Sequence, residues 1–123
     1  MSMFTVEDAR KAGLIPNGAS MIKEGDLIVP TLITLASNEN EFVTMRRLID
    51  ELTAIVRPVG FNSDLLPDRK DSRFSQLVRN LKSHRTLLKK GFAEEAMVDG
   101  QSAWKITSQG KEWLCEKLSV QVC

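Results

Sequence analysis

The stretch SRFSQLVRNLKSHRTLLKKGFAEEAMVDGQSAWKITSQG, residues 72–110, decides how the chain is read. Its first half, Ser72–Lys90, reads as one long basic helix. Phe74, Leu77, Val78, Leu81 and Leu88 fall within one sector at about 100° per residue. Ser72, Gln76, Arg79, Asn80 and Ser83 fall on the opposite side, and Ser72 is a good N-cap. Gly91 ends the helix. Two short strands then meet at Asp99-Gly100, a dipeptide suited to a two-residue type I′ turn. That register sets Val98 opposite Gln101, Met97 opposite Ser102 and Glu94 opposite Lys105. It also sets Glu95 opposite Trp104, on the face expected to be buried. Thr107-Ser-Gln-Gly opens a last helix that runs through about Leu118, with Trp104 and Trp113 as core anchors.

Outward from this stretch the elements are helical. Thr5 caps a short helix, Val6 to Ala12, which Gly13 is placed to end in the left-handed conformation. An apolar helix follows at about Leu27–Ser37, with Asp26 as its cap and Pro30 in the first turn, where a missing N–H costs nothing. Phe42-Val43 reads as a stub strand, and Thr44 caps a helix from Met45 to Arg57. Met45, Leu48, Ile49, Leu52, Ile55 and Val56 lie on one face of it. Residues 61–73 are irregular, with Pro67–Asp71 as a polar loop. The expected units are an N-terminal helical arm at 1–25, one domain at 26–119 and a tail at 120–123.

Composition sets bounds. The hydrophobic fraction is 42%, ordinary for a globular chain of 123 residues with one core. No apolar run is long enough to span a bilayer. The opening residues Met1-Ser2-Met3-Phe4 lack the layout of a signal peptide, so cytoplasm is the expected compartment. Cys115 and Cys123 have no neighbouring Cys or His cluster, so neither a zinc site nor a disulfide framework is expected. His84 is the only histidine; it is expected on the flank of the long helix, near phosphate. These residues make no nucleophile, base or metal constellation, so no catalytic site, no cofactor and no enzyme are expected.

Charge is the stronger signal. The net charge of the chain is only +1, yet residues 69–90 hold eight Lys and Arg against Asp71 alone, a net +7 that leaves −6 elsewhere. Such a field suits a phosphate backbone. Arg, Asn, Gln and Ser on the outer face of the helix are the side chains that reach base edges. Arg85 projects near the apolar sector and is expected to snorkel or pair. The hairpin is acidic at its base, where only Lys105 is positive, while Gln101 and Ser102 at its tip are suited to a minor groove.

Leu87-Leu-Lys-Lys-Gly91-Phe92, then Asp99-Gly100, then Trp104-Lys-Ile-Thr107-Ser-Gln-Gly110, is similar to winged-helix domains. Ser63-Asp-Leu-Leu-Pro67, followed by Arg73-Phe74 and Arg79-Asn80-Leu81, resembles more specifically the N-terminal winged-helix domain of Mrr-type restriction endonucleases. The likeness covers about Asp26 to Leu118. It implies an α+β, mainly α fold: a winged helix-turn-helix with an extra N-terminal helix and a C-terminal helix after the wing. It also implies DNA binding. Cleavage is not implied, because the nuclease part of such enzymes is a separate domain with no expected room after residue 118.

The expected function is therefore non-catalytic binding of double-stranded DNA, for transcriptional regulation or for targeting a restriction activity. Ser72, Arg73, Gln76, Arg79, Asn80 and Ser83 are expected to read bases. Arg69, Lys70, Lys82 and Lys105 are expected to hold phosphates. A homodimer, or a partner nuclease or regulator chain, is left open, and no membrane is expected. The alternative is a protein-interaction module on the same scaffold without DNA binding.

Overall fold

The computed structural model describes residues 6–11, 13–18, 22–38, 40–58 and 73–118. In chain order it holds α1 (Val6–Lys11), a 3-10 turn (Glu24–Leu27), α2 (Ile28–Ser37), β1 (Val43–Thr44), α3 (Met45–Val56), α4 (Arg73–Ser83), α5 (Thr86–Lys89), β2 (Ala93–Val98), β3 (Gln101–Ile106) and α6 (Ser108–Leu118). The chain is α+β and mainly helical, with an antiparallel sheet of order β1-β3-β2. This order is compatible with a winged-helix layout. No described helix is long and apolar enough to cross a membrane.

α2 is apolar on most sides and is buried from Val29 through Leu35. It packs against α3, α6, β3 and the 3-10 turn. Pro30 sits in the first turn, as its missing N–H requires. Asp26 acts differently from expectation. Its Oδ2 accepts from the Lys23 N–H at 2.9 Å. It thus closes the 3-10 turn on its own N-terminal side, and α2 runs on directly from that turn.

α3 follows its pattern. The Thr44 hydroxyl accepts from the Arg47 N–H at 3.3 Å, capping the helix, and Met45, Leu48, Leu52 and Val56 are buried. Arg47 lies on the outer face, held by Asn38 Oδ1 at 2.8 Å and Glu41 Oε2 at 3.2 Å. The helix stops at Arg57, which is left-handed at φ 56°. The N-terminal arm packs on this end. Arg10 donates to the Ile55 carbonyl at 3.2 Å, and Ala9, Ile15 and Ile22 join the core. Gly13 is left-handed, with Leu14 N–H donating to the Ala9 carbonyl at 3.0 Å.

The expected single helix over Ser72–Lys90 is broken. α4 ends at Ser83, and Arg85 is left-handed at φ 55° before α5 begins. A left-handed residue with a side chain costs on the order of 1 kcal/mol. Two gains offset it. A continuous helix would carry Leu88 on the apolar face, but after the break Leu87 is fully buried and Leu88 only half so. Glu24 also spans the break. Its Oε1 lies 2.6 Å from His84 Nδ1, and its Oε2 accepts from the Thr86 hydroxyl at 2.6 Å. Arg85 is consequently exposed and does not lie along the apolar sector.

The hairpin follows the expected register. Asp99 and Gly100 have φ of 50° and 79°, both positive as a type I′ turn demands. Val98 pairs with Gln101, Met97 with Ser102, Glu95 with Trp104 and Glu94 with Lys105. The awkward Glu95 is resolved by chemistry: its carboxylate accepts from the indole N–H of buried Trp104 at 3.2 Å. β1 pairs with the far side of β3, Val43 opposite Trp104.

The base of the hairpin is locked to α6. Thr107 N–H donates to the Phe92 carbonyl at 3.0 Å, and the Thr107 hydroxyl donates to the Gly91 carbonyl at 2.6 Å. The same hydroxyl accepts from the Gly110 N–H at 3.0 Å. Gly110 lies flush on the Phe92 carbonyl, where a Cβ would overlap the oxygen. Against expectation, Cys115 is disulfide-bonded; its partner lies outside the described residues. Residues 59–72, including the polar loop, and the tail at 119–123 also lie outside them.

Because backbone and not a flexible side chain blocks the Cβ, Gly110→Ala is expected to destabilise by about 2 kcal/mol or more, despite the better helix propensity of alanine. Urea denaturation followed by tryptophan fluorescence measures the shift in midpoint.

Candidate nucleic-acid interface

Three elements converge on one open groove of about 530 Å³. Met45, Arg46, Ile49 and Asp50 come from the N-terminal half of α3, at i, i+1, i+4 and i+5 on one side of that helix. Ser75, Arg79 and Lys82 come from α4, at i, i+4 and i+7, again one stripe. Met97, Gly100, Gln101 and Ser102 come from the hairpin tip.

The sheet explains why the tip reaches this place. Ala93, Glu95 and Met97 alternate onto one face of β2, beside Ile106, Trp104 and Ser102 of β3. The first part of that face covers the core with Ala93, Trp104 and Ile106, all buried. The last part overshoots the core. Met97 is therefore 67% exposed and hangs over the groove instead of filling it. Arg46, Arg79 and Lys82 give the groove three cations, while Asp50 is the carboxylate among the lining residues.

The expected site residues divide. Ser72, Arg69 and Lys70 lie outside the described residues. Arg79 and Lys82 are exposed and line the groove. Arg73 is half-buried, and both it and Arg79 have interaction partners within the chain. Gln76 and Asn80 belong to a second stripe, about 100° round the helix from the first. Gln76 Nε2 donates to Asn80 Oδ1 at 3.0 Å. Ser83, at the exposed end of α4, completes that stripe. Lys105 is not brought to the groove. Its Nζ lies 5.7 Å from the ring centroid of Phe42, on the opposite face of the sheet from Met97. His84 is held by Glu24, so the expected place near phosphate is taken by a carboxylate.

Sequence reasoning missed Arg46, Asp50 and Met97. Arg46 and Asp50 read as solvent-facing positions of an amphipathic helix, and nothing local shows that the hairpin tip arrives opposite them. Met97 alternates correctly for a core position; only the length of the hairpin beyond the core exposes it.

No family model matches the chain, and no curated protein and no solved structure does.

Glu24 fixes the end of α4 through the Thr86 hydroxyl, so the two act as a unit. Glu24→Ala and Thr86→Val are each expected to cost about 1 kcal/mol in urea unfolding, and the double variant clearly less than the sum. Strict additivity would show that the bond carries no stability.

Proposed function

We propose that the chain is a winged-helix protein that binds duplex DNA and does no chemistry on it. The cationic groove between α4 and the hairpin tip is the observation that carries this reading. Around it, α2, β1, α3, α4 and the β2–β3 hairpin follow the order of a winged helix-turn-helix, with α1 added before and α6 after. β1 lies against β3, as a wing requires. The eleven residues of α4 make a rod roughly 16 Å long. A major groove about 12 Å wide admits such a helix.

With α4 in a major groove, the strand beside it passes between α4 and the hairpin. Arg46, Arg79 and Lys82 then hold phosphates, and Ser75, Gln101 and Ser102 are close enough to donate hydrogen bonds to them. This assigns Arg79 to the backbone, whereas the sequence pattern assigned it to bases. Base reading falls to Gln76, Asn80 and Ser83, with Arg73 on the same flank. The hairpin contributes little charge. Glu94 and Glu95 along β2 and Asp99 in the turn are exposed and repel phosphate, which leaves the neutral Gln101 and Ser102 of β3 as the part that approaches DNA. Such binding would serve transcriptional regulation or the targeting of a restriction activity supplied by another chain.

One observation favours a second reading, a protein-docking groove. Met97, Met45 and Ile49 give the groove an apolar side that a phosphate backbone does not need.

Fluorescence anisotropy with a mixed-sequence duplex across a salt series separates the two. Three phosphate contacts predict a slope of log K against log salt of about −3, and Arg46→Ala or Arg79→Ala should each reduce its magnitude by about 1. Lys105→Ala should leave it unchanged. Absence of wild-type binding even at low salt contradicts DNA binding and favours the docking groove.

A further inference from the structure

Resting on the DNA reading above, we propose that Asn80 selects an adenine in the major groove and that Gln76 is the residue that positions it. The two side chains sit one helical turn apart on the stripe next to the one that lines the cationic groove, about 100° round the helix from it. Gln76 Nε2 donates to Asn80 Oδ1 at 3.0 Å, and the bond is partly buried. Gln76 has a further interaction within the chain, so it is anchored as well as anchoring. Asn80 itself is half-buried. Its amide is thus ordered before any ligand arrives, and the rotamer entropy of a free side chain is not lost on binding.

The inventory of donors and acceptors decides the base. A side-chain amide has an oxygen with two lone pairs and a nitrogen with two N–H groups. The bond to Gln76 occupies one lone pair of Oδ1. One lone pair and both Nδ2 donors remain, side by side. In the major groove, guanine shows two adjacent acceptors, cytosine a donor and thymine an acceptor. Adenine shows the N6 donor beside the N7 acceptor, which matches an acceptor and a donor on one amide. Arg79 is a poorer candidate for base reading, because its stripe faces the groove between α3 and the hairpin tip. Discrimination is thereby separated from charge: the neutral stripe selects and the cationic stripe holds.

The test uses the whole chain and a pool of duplexes with a randomised centre, from which bound molecules are selected and sequenced. The selected duplexes should share an adenine at one position. Replacing that adenine by 7-deazaadenine, which lacks the N7 acceptor, should weaken binding on the order of tenfold. Asn80→Ala should remove both the enrichment and the effect of the analogue, while the salt slope stays that of wild type. Asn80→Ser should do the same and guards against misfolding of the alanine variant, with helical content checked by circular dichroism. Gln76→Met, which fills the same space without a donor, should lower the discrimination ratio without changing the slope. Gln76→Lys, which restores a donor, should recover part of it.

An adenine whose enrichment survives Asn80→Ala overturns the inference and leaves DNA binding standing. So does binding without any sequence preference. Failure of wild type to bind any duplex at low salt overturns both.

Discussion

The carbonyl oxygen of Phe92 is the point on which the arrangement of the groove beside α4 depends. Thr107 N–H donates to it, Gly110 lies flush against it, and the Thr107 hydroxyl ties the neighbouring Gly91 carbonyl to the first turn of α6. Two strands and a helix are thereby fixed to one another within a few residues. The hairpin leaves this base at a set angle. Trp104, buried and bonded to Glu95, keeps it flat against the core for half its length. Where its tip falls, and hence whether a groove exists beside α4, follows from that base.

The other wall of the groove is set by a second local constraint. Glu24 bonds both sides of the left-handed break at Arg85, so α4 ends at Ser83 and the chain turns back toward β2. A continuous helix would carry Leu87 away from the core and displace Phe92. The break thus links two facts that look separate in sequence, a carboxylate in an early turn and the entry to the hairpin. It also removes His84 and Arg85 from the outer face of α4. That face is left with two stripes of different chemistry: Ser75, Arg79 and Lys82 toward the groove, and the neutral Gln76, Asn80 and Ser83 beside them.

Much of this was legible from local rules. The type I′ turn at Asp99-Gly100 fixed the register of every hairpin pair, because two consecutive positive φ values leave the strands one alignment. Thr44 and Thr107 announced their helices through side chains that satisfy the first-turn N–H groups. The break at Arg85 was not legible, since the periodicity of Leu81 and Leu88 is that of an unbroken helix, and the partner that stabilises the break lies sixty residues away in Glu24. The expected cap role of Asp26 failed for a smaller reason: a 3-10 turn precedes α2 and takes the carboxylate for itself. Of the residues that line the groove, Arg79 and Lys82 were picked out by charge and helical spacing. Arg46 and Met97 were not, because their significance comes only from the approach of α3 and the hairpin tip. Lys105 lies away from the groove because its position in β3 puts it on the face of the sheet that carries Phe42.

The central claim is that duplex DNA lies along α4 with one backbone between that helix and the hairpin tip. Backbone amide shift mapping by NMR, titrating a short duplex into the labelled chain, tests it most directly. Perturbations are expected along α4, at Met45–Asp50 and at Gly100–Ser102, with Glu94, Glu95 and Lys105 unmoved. Perturbations gathered on α1, α6 or the Lys105 face of the sheet, or none at low salt, would contradict it.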